Sequence, residues 1–314
     1  MHGCCPTNNY NIALVRSKQD PTRTLAIRKR FESDFVARWR NIRALINKSV
    51  ADNDCFGLKV RSPLKLISND YITTPTGERV FDFKRDDKKI DAFMQWLQEQ
   101  DNAGILEISK SGNRESPLSS RWSDVYVKAS YSKGASMAVE TLEEKGYTQE
   151  AKLLTGPYSP FFKPMHADRV AGLYTRVFGE LKSVVSGSEN RIRRQLAEGL
   201  VLGENPKKIA RRLTDVIDHH GIYRARLVAR TEVVRAHHLA TIQEYRSYGV
   251  RGVYIEAEWL TAGDHRVCPR CQEMAARKKP YTLDEIEPLI PLHPQCRCRA
   301  IPIPFKMKNW QKAA

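Results

Sequence analysis

Apolar residues recur at helical spacing along much of this chain. From Thr22 onward, Leu25, Phe31, Phe35, Trp39, Ile42, Leu45 and Ile46 stand largely three or four residues apart. That pattern predicts one amphipathic helix running to about Val50, with Pro21 and Thr22 at its start. Residues 51–85 are mixed, and "TPTGERVFDF" predicts a short hairpin that turns at Gly77, with Val80, Phe81 and Phe83 as strand formers. "DDKKIDAFMQWLQEQ" predicts a second helix over about 86–100, and the Ser/Gly/Asn-rich "SKSGNRESPLSS" a loop after it. Ser123 is then placed to cap a helix that Gly146 ends.

The stretch "TGPYSPFFKP" carries three prolines in ten residues and marks a seam. Beyond it the pattern is almost continuously helical. "MHADRVAGLYTRVFGELKSVV" predicts one helix and "SENRIRRQLAEGLVLGENP" another that stops at Gly203. "NPKKIARRLTDVID" predicts a third, with Asn205 as N-cap and Pro206 at the first helical position. A fourth runs from about Tyr223 to Tyr248 and ends at Gly249. After that the period shortens. "GVYIEAEWL" alternates and predicts a strand, "TLDEIEPLI" a short helix, and "RAIPIPF" a closing strand that its prolines confine to an edge.

These elements predict a mainly α protein with an extended helical N-terminal region and a small α+β C-terminal unit resembling a zinc clip. The expected organisation is a helical N-terminal region over 1–160, a helical bundle over 161–249, and a small β-containing Cys/His unit over 250–314. Methionines and aromatics on the helices read as core packing.

Composition adds a partner. The formal net charge is +16 over 314 residues, which suits contact with a polyanion. Between Arg16 and Lys48 stand ten Lys/Arg and three acidic residues. Arg28, Lys29, Arg30, Arg38, Arg40 and Arg43 there are candidates for contact with DNA or a protein partner. No stretch has the length and apolarity of a membrane span, and the N-terminus lacks the basic-then-apolar pattern of a secretory signal. Synthesis in a reducing cytoplasm is expected from the few, clustered cysteines.

Four of the seven cysteines fall in one short window, spaced C-x2-C-x21-H-x2-C-x-C. Cys268, Cys271, His293, Cys296 and Cys298 are its five candidate metal ligands. Two thiolates in one turn and further ligands about twenty residues on is a common way to hold structural Zn2+. A small C-terminal unit has little core of its own, and a metal would supply folding energy. Cys268, Cys271, His293 and Cys296 form the favoured set, with Cys298 as substitute. Disulfides in a mature particle and a metal-free packed turn are the competing readings. Asp264–His265 beside the first cysteine pair raises the alternative of a zinc-dependent nuclease. The charge alone would also fit a basic nucleic-acid-binding protein. His219–His220 and His237–His238 lack matching ligand pairs and read as surface or interface residues.

The run "RARLVARTEVVRAHHLATIQEYRSYGV", then "AEWLTAGDHRVCPRCQEM" and "PLIPLHPQCRCRAIP", closely resembles the C-terminal domain of the phage Mu F-like head morphogenesis proteins, the minor capsid proteins of tailed bacteriophages. "LAEGLVLGENPKKIARRL" resembles that family's helical lead-in, so the likeness covers about residues 190–304 and joins 190–249 to the Cys/His unit. The residues that carry it are Arg230, Thr231, Glu232, Trp259, Thr261, Asp264 and Arg297 together with the cysteines, His293 and Pro294. The resemblance implies a structural, non-enzymatic role in head assembly, with genome packaging or delivery. It implies a place in the virion, in the head interior or near the portal. The implied partners are the portal protein, the major capsid protein and packaged double-stranded DNA. Arg230 and Glu232 would pin neighbouring elements, Asp264 would form a turn or support a ligand histidine, and Thr261 would cap that turn.

Overall fold

Asn205 and Pro206 show how local sequence sets an element boundary. Asn205 is extended (φ −69°, ψ 156°), and its side chain accepts the Lys208 N–H at 3.0 Å. Pro206 then opens the helix where no backbone donor is needed. The computed structural model describes residues 20–58, 71–73, 79–81, 83–107, 121–147, 164–249 and 255–304. Its helices are α1 (Leu25–Asn47), α2 (Phe83–Asp101), α3 (Asp124–Glu144), α4 (Pro164–Val201), α5 (Pro206–Val216), α6 (Tyr223–Gly249), α7 (Pro269–Ala275) and α8 (Leu283–Ile286). A π-helical turn, Ile217–Ile222, joins α5 to α6. Strands β1 (Tyr71–Thr73) and β2 (Arg79–Phe81) pair antiparallel as the expected hairpin, but Phe83, expected in a strand, opens α2. The turn at Gly77, the loop after α2 and the proline-rich seam at 155–163 lie outside the described residues.

Helix α1 buries Phe31, Phe35, Trp39, Ile42 and Ile46, whereas Leu25 and Leu45 are exposed. Leu45 directly precedes Ile46, so it is rotated about 100° off the buried line, and Val36 is buried instead. Helix α4 corrects the expectation of two helices meeting near Ser186–Gly187, for it continues unbroken over 38 residues. The cause is tertiary. A β-carbon at Gly187 would lie 3.1 Å from the His220 ring, so glycine gives room for that imidazole. Ser188 satisfies its hydroxyl within the helix by donating to the Val184 carbonyl at 2.9 Å. Ser123 precedes α3 as expected, but its side chain makes no capping bond. Gly146 does end that helix region, at φ 94°.

The chain forms two compact units, each discontinuous in sequence. One comprises Glu32–Arg121 and Val177–Val228. Its core includes Trp39, Leu97, Ile192 and Leu213, and Gly221 presses against the Trp39 ring. The other comprises Met1–Phe31, Trp122–Arg176 and Ala229–Ala314 and holds the Cys/His window. Within it α3 and α6 touch backbone to backbone, since a β-carbon at Gly134 would stand 2.2 Å from the His237 carbonyl oxygen. Ser130 donates to the Val233 carbonyl at 2.6 Å along the same seam.

Strands β3 (Glu256–Leu260), β4 (Tyr281–Thr282) and β5 (Arg299–Pro302) make an antiparallel sheet in the order β4-β3-β5. Pro302 thus sits on an edge strand, as expected. Thr282 and Glu285 form a reciprocal capping box at α8. Ala257, Trp259, Tyr281, Ile286 and Ala300 join Leu142, Ile242 and Tyr245 in one core cluster that also contains Cys271, Cys296 and Cys298. Among the described residues no helix is long and apolar enough to cross a membrane.

Candidate metal centre

Two turns bring the sulfurs together. Cys268 is the N-cap of α7, with extended backbone, and its sulfur accepts the Cys271 N–H at 3.4 Å. Pro269 at the first helical position favours that start. The second turn is His293–Pro294–Gln295–Cys296, closed by the Cys296 N–H on the His293 carbonyl at 3.1 Å. Gln295 holds a left-handed backbone at φ 65°. Its N–H donates to Thr231 Oγ1 at 3.2 Å, and its side-chain oxygen accepts from Arg230 at 2.7 Å. Two adjacent residues of α6 thereby hold the tip of the ligand turn.

His293 Nε2 lies 3.2 Å from both the Cys268 and the Cys271 sulfurs. Its Nδ1 stands 2.8 Å from the Pro294 carbonyl, which fixes the Nδ1–H tautomer and leaves the Nε2 lone pair facing the thiols. The Cys271 and Cys296 sulfurs are 3.9 Å apart. The ligand atoms form two overlapping triads, Cys268–Cys271–His293 and Cys271–Cys296–Cys298, each within 4.8 Å, with Cys271 common to both.

The donor set fits a thiophilic ion. Zn–S bonds of about 2.3 Å in a tetrahedron separate sulfurs by about 3.8 Å, and a Zn–N bond of about 2.0 Å places nitrogen about 3.5 Å from sulfur. The sulfur pair matches, and His293 is slightly close. A cavity of about 20 Å³ is bounded by Cys268, Cys271, His293 and Cys298, large enough for one water-sized species. Burial, then the charge of Cys296, pushes the Cys271 thiol up to about 12. A hydrogen bond from Cys298 chiefly holds Cys296 down, at about 5, and the same bond raises Cys298. The buried indole N–H of Trp259 has no hydrogen-bond partner among the described residues.

Arg297 lies between the two ligand cysteines of its turn and points away from them, forking onto Asp264 at 2.6 and 2.7 Å. Asp264 also accepts the Arg266 N–H at 3.1 Å, and Thr261 Oγ1 accepts the Gly263 N–H at 3.3 Å. So Asp264 forms a turn, but its partner is Arg297 and not a ligand histidine. The guanidinium holds the Asp264 carboxyl well below the usual carboxylate range. Glu232 is buried and accepts from Arg176 at 3.1 Å and Arg235 at 3.3 Å. His265 is exposed and belongs to neither ligand triad.

Other expected positions divide. Lys29, Arg30 and Arg40 are exposed. Arg28 is not: it is buried 2.7 Å from Asp20, because a charge inside this unit needs a counter-charge. Arg38 is engaged by the Gly104 carbonyl and Glu107, and Arg43 by Asp218 at 3.2 Å. His237 and His238 are buried, not at the surface, and His238 Nε2 meets the Ile286 carbonyl at 3.2 Å. Sequence reading missed Arg299, buried on β5, which donates to Thr141 and to the Met137 carbonyl of α3. It also missed Tyr131, His166 and Glu244. Tyr131 Oη lies 2.8 Å from His166 Nδ1, and His166 Nε2 lies 3.2 Å from Glu244. No periodic signal marks such residues, since polar side chains on a helix read as solvent-facing.

Comparison with known families matches residues 190–301 to the family described as phage Mu protein F like protein. No curated protein and no solved structure matches the chain. The matched segment opens in α4 and closes in β5, so it takes in the ligand turns, Arg230–Glu232 and the Asp264–Arg297 pair. The chain therefore carries a phage Mu protein F-like region over residues 190–301.

Proposed function

We propose that this protein is a minor capsid protein acting in head morphogenesis of a tailed bacteriophage, with a structural metal clip in its C-terminal unit. The match over 190–301 carries this reading. In it the protein lies in the head interior or near the portal, contacts the portal protein, the major capsid protein and packaged DNA, and has no catalytic role. Zn2+ is the ion proposed, held by Cys268, Cys271, His293 and either Cys296 or Cys298. The supporting chemistry is the sulfur and imidazole donor set at near-tetrahedral separations. Four protein ligands would close the coordination sphere, which suits a structural ion.

The test is a phage carrying Cys271→Ser, compared with wild type for protein content of purified virions, filled heads by microscopy, and infectious units. Reduced incorporation, or filled heads that infect poorly, is expected. Unchanged counts with the protein absent from wild-type virions would overturn the assembly reading. Divalent-metal-dependent DNA cleavage abolished by His265→Ala would favour a nuclease instead.

A further inference from the structure

His220 is fixed against α4 within reach of the charges of two arginines. It lies in the π-helical turn Ile217–Ile222, and its Nδ1 stands 3.0 Å from Ser188 Oγ on α4. The Ser188 hydroxyl already donates to the Val184 carbonyl, so the imidazole must donate to it. That bond fixes the ring and leaves Nε2 as the unprotonated nitrogen of the neutral imidazole. Gly187 bounds this edge: a β-carbon there would come within 3.7 Å of Nε2. Arg191 is three residues beyond Ser188 on α4, and Arg224 is four beyond His220 on α6, so helical geometry brings both to the same face as the imidazole.

The neighbouring charges are otherwise committed. Arg193 pairs with Asp91 at 2.6 Å, Arg226 with Glu32 at 3.1 Å, and Arg43 with Asp218 at 3.2 Å. Arg191 and Arg224 have no carboxylate partner among the described residues. Burial, and then the charges of Arg191 and Arg224, lower the His220 pKa, as expected where cationic groups face one another without an anion. Residues 177–228 carry ten Lys/Arg against six Asp/Glu, so the local field favours an anion.

We propose that Arg191 and Arg224, beside His220, form a binding site for a phosphate group, filled by a backbone phosphodiester of duplex DNA. Two guanidinium groups with free donors suit a phosphate oxygen pair, and a backbone contact needs no base sequence. The site does not involve the metal centre, and its DNA ligand rests on the reading above that the protein contacts packaged DNA.

The test uses the full-length protein, a short duplex and a salt series, with inorganic phosphate as competitor. Arg191→Gln/Arg224→Gln should weaken duplex binding about tenfold or more and lower the salt slope by about two, one for each lost phosphate contact. Arg193→Gln/Arg226→Gln removes the same charge from arginines already paired and should leave affinity within about twofold. Equal losses in the two variants would overturn the proposal, since charge alone would then explain binding. So would no loss in the first. Competition by millimolar phosphate, absent in the first variant, would show that the site also takes the free anion. Binding lost without such competition would restrict it to the duplex. Circular dichroism of both variants checks that each remains folded.

Discussion

Arg297 and Asp264 are joined by two hydrogen bonds of 2.6 and 2.7 Å, tying the ligand turn of His293–Cys298 to the turn that precedes Cys268. The pair fixes the spacing of the two ligand turns before any ion is bound. Arg297→Gln should therefore lower both the thermal midpoint of the C-terminal unit and its metal affinity. The pH dependence has a definite sign. The folded pKa of Asp264 lies below its unfolded value of about 3.9, so its contribution is complete above that value and fades as pH falls through the folded one. Thermal midpoints of wild type and Asp264→Asn should differ at pH 7 and converge under strong acid. A gap that persists at low pH would assign the effect to shape and not to charge.

Cys271 belongs to both ligand triads, whereas Cys296 and Cys298 share only the second. Reduced, purified protein should hold about one zinc per chain, by elemental analysis. Cys271→Ser should lose it. Cys296→Ser and Cys298→Ser should each retain it with weaker affinity, since either leaves four ligands, and the double variant should lose it. Protein that is folded in the C-terminal unit yet free of zinc would refute the clip.

Much of this was legible because the signals are local. Asn205–Pro206 announces a helix start through backbone chemistry, and the cysteine spacing announces a ligand cluster because turns set distances over a few residues. What remained hidden depends on partners distant in sequence. The Ser186–Gly187 stretch reads as a break until His220 is seen to fill the space beside it. His237 and His238 read as surface or interface residues and Glu244 carries no signal in the sequence, yet each is buried in α6, as is Glu232. Arg176, the Ile286 carbonyl and His166 meet three of them. Arg28 failed as a surface contact for the same reason, its counter-charge being Asp20. The discontinuous units depend on such pairings too, and no linear pass over composition displays them.

Two helix glycines separate close approach from mere helix composition. A β-carbon at Gly134 would collide with the His237 carbonyl, while one at Gly172 on α4 would meet nothing within 4 Å. Gly134→Ala must push α3 from α6 and should destabilise by about 1–3 kcal/mol or more. Gly172→Ala should stabilise by up to about 1 kcal/mol through helix propensity. Denaturant titration of both variants checks the contrast, and similar effects in the two would contradict the backbone contact.

Asp101 ends α2 almost fully buried, with Glu189 of α4 as its neighbour, and two carboxyls there cannot both ionise at ordinary cost. Burial first, then the charge and hydrogen bond of Glu189, raise Asp101 to about 8. The folded state thus keeps a proton that the unfolded chain releases near pH 4. Because the folded state binds more protons across that window, stability falls as pH rises from about 4 to about 8 and levels off above. Asp101→Asn keeps a donor for Glu189 but has no proton to lose. Its denaturation midpoint should change less with pH between 5 and 8 than that of wild type, and it should be the more stable protein at pH 8. Parallel pH profiles for the two proteins would mean that Asp101 is already ionised in the fold and that its charge is compensated by another group.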